Sequence, residues 1–181
     1  MTDASARDDG TDRALMRRAC LGDEAAFTGL VQRLAPKVHR YLVGRGTREH
    51  DADDLVQETF IRVHERMNEY DERWAVSTWV FTIARRQAAS QARRRYEVPS
   101  ATAGDSLEAP VVHPDEDDTW QVAREVLAPR EVEALWLRYA EDRTPAEIAA
   151  ILGITGLHAR VLLHRARNRL AWALEENGGD V

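Results

Sequence analysis

Apolar residues recur along this chain three and four positions apart, and nowhere alternate strictly with polar ones, so the pattern predicts helices throughout. The first helix begins near Thr11 and carries Leu15, Met16 and Ala19; Gly22 and Asp23 then mark a turn and a new N-cap. Phe27, Leu30, Val31, Leu34, Val38, Tyr41 and Leu42 form one face of the next helix, with Pro36 as a kink and Gly44 and Gly46 at its end. In EHDADDLVQETFIRVHERM, Val56, Phe60, Val63 and Met67 face a core, while Asp51 caps and Asp53 and Asp54 suit the positive helix N-terminus. The loop NEYDERWAV leads to Ser77, expected as a cap, and to a helix whose apolar side is Val76, Trp79, Val80 and Ile83. Further on, Trp120, Ala123 and Leu127 line one helix, and Pro129 opens another with Val132, Leu135, Trp136 and Tyr139 as its core face.

The last periodic stretch, Thr144 to Arg169, carries the sharpest local signals. Thr144, Pro145 and Glu147 form a capping box with proline at the first helical position. Ile148, Ala149 and Leu152 share a buried face, and Gly153 stands where a left-handed residue ends a helix. Ile154 plugs the angle, and Thr155 caps the second helix. Ala159, Leu163, Ala166 and Leu170 make that helix's buried stripe, which leaves Leu157, His158, Arg160, Val161, His164, Arg165 and Asn168 on the opposite side. A short capped helix, a glycine turn and a basic second helix read as a helix-turn-helix with a recognition helix for the major groove. The bland alternative is an αα-hairpin with a solvated basic face.

Charge sharpens that choice. The net charge is −6, so contacts with nucleic acid fall to local patches. The positive charge gathers on the last helix and on STWVFTIARRQAASQARRR, where Arg85, Arg86, Arg93, Arg94 and Arg95 lie within eleven residues. Between residues 97 and 118 the character changes: Pro99, Gly104, Pro110 and Pro114 oppose regular structure, and seven acids have no basic neighbour, so the stretch reads as an acidic linker between two helical domains. The expected organisation is a disordered tail over 1–12, one domain over 13–96, the linker over 97–118, a second domain over 119–175 and a tail over 176–181.

Cys20 is the one cysteine, which excludes an internal disulfide and a cysteine-rich zinc site. No apolar run approaches the roughly 18 residues of a membrane span, and MTDASARDDG is unlike a signal peptide, so the cytoplasm is expected and no membrane insertion. The run Glu49, His50, Asp51, Asp53, Asp54 cannot converge on one ion from consecutive positions of a helix start, and N-capping accounts for the acids. Neither a metal nor another cofactor is expected, and no paired catalytic acids, phosphate loop or nucleophile–base order stands out, so the chain is not expected to be an enzyme.

Three ordered motifs carry a family resemblance over about residues 13 to 172. DADDLVQETFIRVHERM resembles the part of bacterial sigma factors that grips the RNA polymerase core. STWVFTIARRQAASQARRR resembles their adjoining −10 region, and LGITGLHARVLLHRARNRL their −35 helix-turn-helix; LGDEAAF near the start also matches. Two helical domains around a short linker look like the extracytoplasmic-function group of the sigma-70 family. The resemblance implies an all-α fold of two small domains and a promoter-specificity subunit without catalytic residues. Its partners would be the polymerase core, through the β′ clamp and β flap, promoter DNA and an anti-sigma factor. Asp53, Asp54, Leu55, Gln57, Glu58, Ile61 and Arg62 would dock on the core. Asn68, Tyr70, Trp74, Arg85, Arg86, Arg93 and Arg94 would take the −10 element, with Tyr70 or Trp74 stacking on an extruded base. Thr144, Thr155, Leu157, His158, Arg160, Val161, His164 and Arg165 would take the −35 element.

This sequence departs from the family pattern at Arg86 and Ser90, and in the recognition helix at Leu157, His158, Val161 and Leu162, so a relative's promoter sequence does not carry over. Each surface also has a plainer reading: a solvated helix face for Asp54, Gln57 and Glu58, a solubilising face for the arginines, and a core position for Trp79. Leu157 and Val161 could read thymine methyls or could pack on a partner protein. A stand-alone helix-turn-helix regulator that never binds polymerase is the competing function.

Overall fold

The computed structural model describes residues 3–97 and 118–177, with side chains over 10–94 and 119–176. Eight α-helices and no strand occur among the described residues. The proposed linker, with His113, and the last four residues fall almost wholly outside them.

The first four helices are α1 (Asp3–Cys20), α2 (Glu24–Gly44), α3 (Glu49–Arg66) and α4 (Val76–Glu97), with a short 3-10 turn, Met67–Glu69, after α3. They pack as one bundle around Met16, Leu30, Leu34, Val38, Val63, Val80 and Phe81, all at most 1% exposed. α1 starts eight residues before Thr11, so the tail expected over 1–12 is largely helix; Asp12 is buried and accepts a 2.7 Å hydrogen bond from Arg33 Nε of α2. Asp23 caps α2 as its sequence position suggests, accepting from the Ala26 N–H at 3.0 Å, and that bond, with Arg18 beside it, holds its carboxyl below the ordinary range. Pro36 stays inside α2.

Two caps differ from expectation. α3 begins at Glu49 after Arg48, which leaves Asp51 buried within the helix. α4 begins at Val76, so Ser77 is helical and buried rather than a cap. At Ser77 a tertiary contact takes the polar side chain that a local reading gives to the helix end, since its hydroxyl accepts from Arg143 at 2.8 Å; Asp51 lies 3.2 Å from the ring of His50 beside it.

The other four helices are α5 (Asp118–Val126), α6 (Pro129–Tyr139), α7 (Pro145–Leu152) and α8 (Gly156–Asn177), and all of them meet α8 or one another. Their own small core joins Ala123, Leu127, Val132, Leu135 and Ala166. The helix-turn-helix forms as its sequence directs. Thr144 Oγ1 accepts from the Glu147 N–H at 3.3 Å, Glu147 Oε2 accepts from the Thr144 N–H at 2.9 Å, and Gly153 closes α7 at φ 65°, ψ 43°. Thr155 Oγ1 accepts from the His158 N–H at 3.2 Å at the start of α8. On α8, Ala159 and Ala166 are fully buried, Leu163 and Leu170 are partly so, and Ala173 extends the stripe.

α6 breaks the expected one-sided pattern: every residue from Glu131 to Leu137 is buried, whereas Tyr139, expected in the core, is 59% exposed. A helix is buried all round when it lies between two packed layers. α6 is such a layer, because α5 and α8 cover one side while α2 lies on the other, and α7 beside it packs on α4. The larger hydrophobic core accordingly runs without interruption from Met16 in α1 to Ala159 in α8.

The glycine that ends α7 gives a direct test of the local account. At Gly153 an added Cβ meets nothing within 4 Å, so only the left-handed backbone resists it. Gly153→Ala is expected to cost about 1–2 kcal/mol in urea unfolding. Gly156→Ala, in the first turn of α8 with open space around it and no positive φ, is expected to be neutral or to stabilise by up to about 1 kcal/mol.

Candidate functional site

Three surfaces carry the residues singled out from sequence. On α3, Asp53, Asp54, Gln57, Ile61 and Arg62 are exposed and Glu58 half-buried, so one face presents acids beside an aliphatic group that is 59% exposed. Leu55 does not belong to it. It is 1% exposed and sits in the core, because it lies on the inward side with Ala52 and Val63. Asp53 lies 3.4 Å from His39 Nε2 of α2, and Arg62 pairs with Glu65 at 2.8 Å one turn on.

The second surface is the turn and loop between α3 and α4 together with the basic end of α4. Asn68 is exposed. Tyr70 is half-buried, its ring 5.6 Å from that of Trp79 and its hydroxyl donating to the Trp74 carbonyl at 2.6 Å. Trp74 is 37% exposed, and Trp79 packs against the core, as its place on the apolar stripe implies. The loop is tied to α1, where Glu72 accepts from Arg17 Nε at 2.8 Å, and within it Asp71 accepts from Arg73 Nη2 at 2.6 Å. These guanidinium bonds hold the Glu72 and Asp71 carboxyls below their ordinary range. Trp74 is thus presented from a loop tied to α1. Arg86, Arg93 and Arg94 are exposed; Arg95 lies beyond the described side chains. Arg85 differs from them. It is half-buried, with Nε 3.4 Å from Glu133 Oε1 of α6.

The third surface is the outer face of α8. Leu157 is 71% and Val161 39% exposed, and His158, Arg160, His164 and Arg165 are exposed around them. His164 Nε2 lies 3.2 Å from the Asn168 side-chain amide. Leu162 turns inward and is partly buried against the core. Thr144 and Thr155 are exposed, but both hydroxyls are engaged in capping. Trp172, four residues past Asn168 on the same face, is 61% exposed and was not signalled by the DNA motif.

A fourth cluster joins the two bundles. Arg143 donates to Ser77 Oγ at 2.8 Å, lies 3.4 Å from Glu147 Oε1, and sets its guanidinium carbon 5.1 Å from the Phe81 ring centre. Thr78 Oγ1 donates to Glu147 Oε1 at 2.7 Å. Burial would raise the Glu147 carboxyl, but hydrogen bonds from the Thr144 N–H and from the Thr78 and Thr144 hydroxyls, with Arg143 nearby, hold it below the ordinary range. Glu141 pairs with Arg40 at 2.9 Å, yet its burial wins and pushes its carboxyl up.

Two family descriptions fit these elements: Sigma-70 region 2 over residues 30–97 and Sigma-70 region 4 over 125–171. The ECF RNA polymerase sigma factor RpoE of Cereibacter sphaeroides is 34% identical over 69% of this chain and 67% of its own. The ECF RNA polymerase sigma factor ShbA of Streptomyces griseus is 32% identical over 94% of this chain and all of its own. The chain belongs to the extracytoplasmic-function sigma factors. Among solved structures, Bartonella quintana RpoE in complex with the anti-sigma factor NepR superposes with TM-score 0.71 at 25% identity, over 82% of this chain and 96% of that one. CnrH with the cytosolic domain of CnrY shares the fold, at TM-score 0.69 and 22% identity over 92% and 98% of the two chains. This sigma factor is therefore an all-α, two-domain subunit that directs RNA polymerase to promoters, with region 2 in α2–α4 and region 4 in α5–α8. No single helix among the described residues is long and apolar enough to cross a membrane.

Glu147 links the region 4 cap to region 2, and its lowered pKa fixes the sign of a pH effect. Its contribution to stability is fully present above its unfolded-state pKa and is lost as pH falls through the lower folded value. Glu147→Gln is expected to lower the thermal midpoint at pH 7 and to converge on wild type in acid below the ordinary carboxylate range. A gap that persists there would mean the amide disturbs packing rather than removing a charge.

Proposed function

We propose that each exposed surface performs one step of promoter engagement, and the observation that carries this reading is the segregation of charge. The acids lie on α3, the free arginines on the second half of α4, and the basic and aliphatic side chains on the outer face of α8. The α3 face docks on the polymerase core, with Ile61 as its apolar centre and Asp53, Asp54, Gln57, Glu58 and Arg62 around it. Arg86, Arg93 and Arg94 hold phosphates at the −10 element, and Trp74 stacks on an extruded base. Tyr70 is better suited to bracing the loop, since its hydroxyl and ring are both engaged. α8 enters the −35 major groove with Leu157 and Val161 against thymine methyls and Arg160, His164 and Arg165 against guanine edges or phosphates. The chain supplies specificity and leaves RNA synthesis to the core enzyme, in the cytoplasm where that enzyme works. An anti-sigma protein is a further partner, supported by the likeness to a sigma factor solved with one.

Charge reversal tests the core surface. Asp54→Arg with Glu58→Arg is expected to abolish co-elution with core polymerase while circular dichroism stays unchanged, since like-charge contacts at a docked face cost several kcal/mol. Wild-type affinity in the double variant would remove the assignment.

Run-off transcription with core enzyme on a genomic library tests the whole reading and defines the promoter. With that promoter in hand, Val161→Ser is expected to change −35 preference at one or two base pairs, with about 1–3 kcal/mol lost at the preferred base. An unchanged consensus and unchanged affinities would assign Val161 to a protein partner instead.

A further inference from the structure

Region 4 holds its recognition helix from the side as well as from beneath. The axes of α7 and α8 turn by 103° at the Gly153 break. The bonds of the turn close each helix end: Gly153 and Ile154 donate to the Ala150 and Ala149 carbonyls at 3.4 and 3.0 Å, and Thr155 caps α8. Two neighbouring residues in the first turn of α6 then reach both arms. Arg130 Nη2 donates to the Leu152 carbonyl, the last of α7, at 3.2 Å. Glu131, 8% exposed, uses a single oxygen for two bonds: its Oε2 accepts from the Ala128 N–H at 2.9 Å and from Arg169 Nη1 of α8 at 2.8 Å. The start of α6 is thus tied to the end of one arm and to the far half of the other.

These ties act on an angle that the packing beneath leaves soft. The fully buried positions of the α8 stripe are Ala159 and Ala166, and side chains this small raise only shallow ridges to fix a crossing angle. The reading face magnifies any change. Arg165 lies nine residues beyond Gly156, about 13.5 Å along the helix. A turn of roughly 10° about the start of α8 would carry it about 2 Å, enough to break a hydrogen bond to a base edge. The folding stability at stake is small, because the Arg169 side chain is 52% exposed and an ion pair shared with solvent contributes little.

We infer that Arg130 and Glu131 are positioning residues for −35 recognition. Neither touches DNA. Arg130 acts through the Leu152 carbonyl and Glu131 through Arg169, and together they set the angle at which the whole outer face of α8 meets the groove. The inference rests on the −35 assignment of α8. A side chain that reads a base governs the pair it touches. One that holds a phosphate governs affinity across sequences and its salt dependence. A positioning residue instead governs discrimination at every −35 position together.

Two variants of the full chain, assembled with core polymerase, remove the ties without stranding a charge: Arg130→Met, and Glu131→Gln combined with Arg169→Met. Glutamine still accepts from the Ala128 N–H, and methionine keeps an aliphatic stem in place of the arginine. Two conservative variants keep the ties: Arg130→Lys retains a donor for the Leu152 carbonyl, and Glu131→Gln alone retains an acceptor for Arg169. Run-off transcription is compared on the promoter found by library run-off and on the same promoter with its −35 element scrambled. A −35 binding-site selection, a salt titration and thermal unfolding accompany it. The tie-removing variants are expected to lower the ratio of the two outputs at least about fivefold, with unchanged output on the scrambled template and weaker preference at all −35 positions. Their salt dependence stays that of wild type, their thermal midpoints stay within about 4 °C of it, and the conservative variants match it throughout. An unchanged ratio in the tie-removing variants would overturn the inference while leaving the −35 reading intact. Output that falls alike on both templates, with a lowered midpoint, would overturn it in favour of a merely structural role. A salt slope reduced by about one in the double variant would overturn it by making Arg169 a phosphate contact. A wild type indifferent to scrambling would defeat the −35 reading of α8 itself, and the inference with it.

Discussion

The Glu133 carboxylate is the interaction on which the arrangement of the two regions depends. A carboxyl group with 4% exposure is tolerated only with partners, and those of Glu133 among the described residues, Tyr41, Arg45 and Arg85, all come from region 2. The tyrosine gains nothing from ionising there; burial first, and Glu133 second, push its hydroxyl well above the ordinary range, which keeps it a donor. Removing the acid strands two guanidinium groups, and separating the regions rehydrates all four groups at once. The same atoms therefore specify one docking geometry between the regions.

α6 turns that single contact into a layer. Its Val132 and Leu135 belong to the core with α5 and α8, while Ala134, Trp136 and Leu137 belong to the core shared with region 2. The N-terminus of α6 is fixed by Glu131, which accepts from the Ala128 N–H at 2.9 Å and from Arg169 of α8 at 2.8 Å. The orientation of the recognition helix is thus transmitted through α6 to region 2, with the Trp120–Trp136 ring pair, 4.9 Å between centres, bracing the far side.

What was legible in the sequence was whatever neighbours along the chain decide. The capping box at Thr144, the left-handed Gly153, the Thr155 cap and the α8 stripe all depend on residues within a few positions, and all stand as read. What was not legible depends on partners far along the chain. Tyr41 and Glu133 are 92 residues apart, Ser77 and Arg143 are 66 apart, and nothing in local pattern tells a buried glutamate from a solvated one. The misplaced cap at Ser77 has this cause. The misread face of α6 does too, although its run Ala134-Leu135-Trp136-Leu137 already argued for burial on both sides. Periodicity located the exposed sides of α3 and α8, and the family motif, carried over whole, took the core residue Leu55 with it.

The contact between the two regions also treats α4 and α8 unequally. It covers Ser77, Thr78 and Phe81 and engages Arg85 on α4, but it leaves Leu157, Val161 and Arg165 on the outer face of α8 open. The reason lies in how α8 is anchored. Its inward stripe is built on small side chains, Ala159, Ala166 and Ala173, so the helix sits close to its neighbours and turns its long side chains away from them. A recognition helix held in this way keeps its reading face whether region 4 is docked or free. The contact between the regions thus covers one face of α4 and leaves the outer face of α8 open.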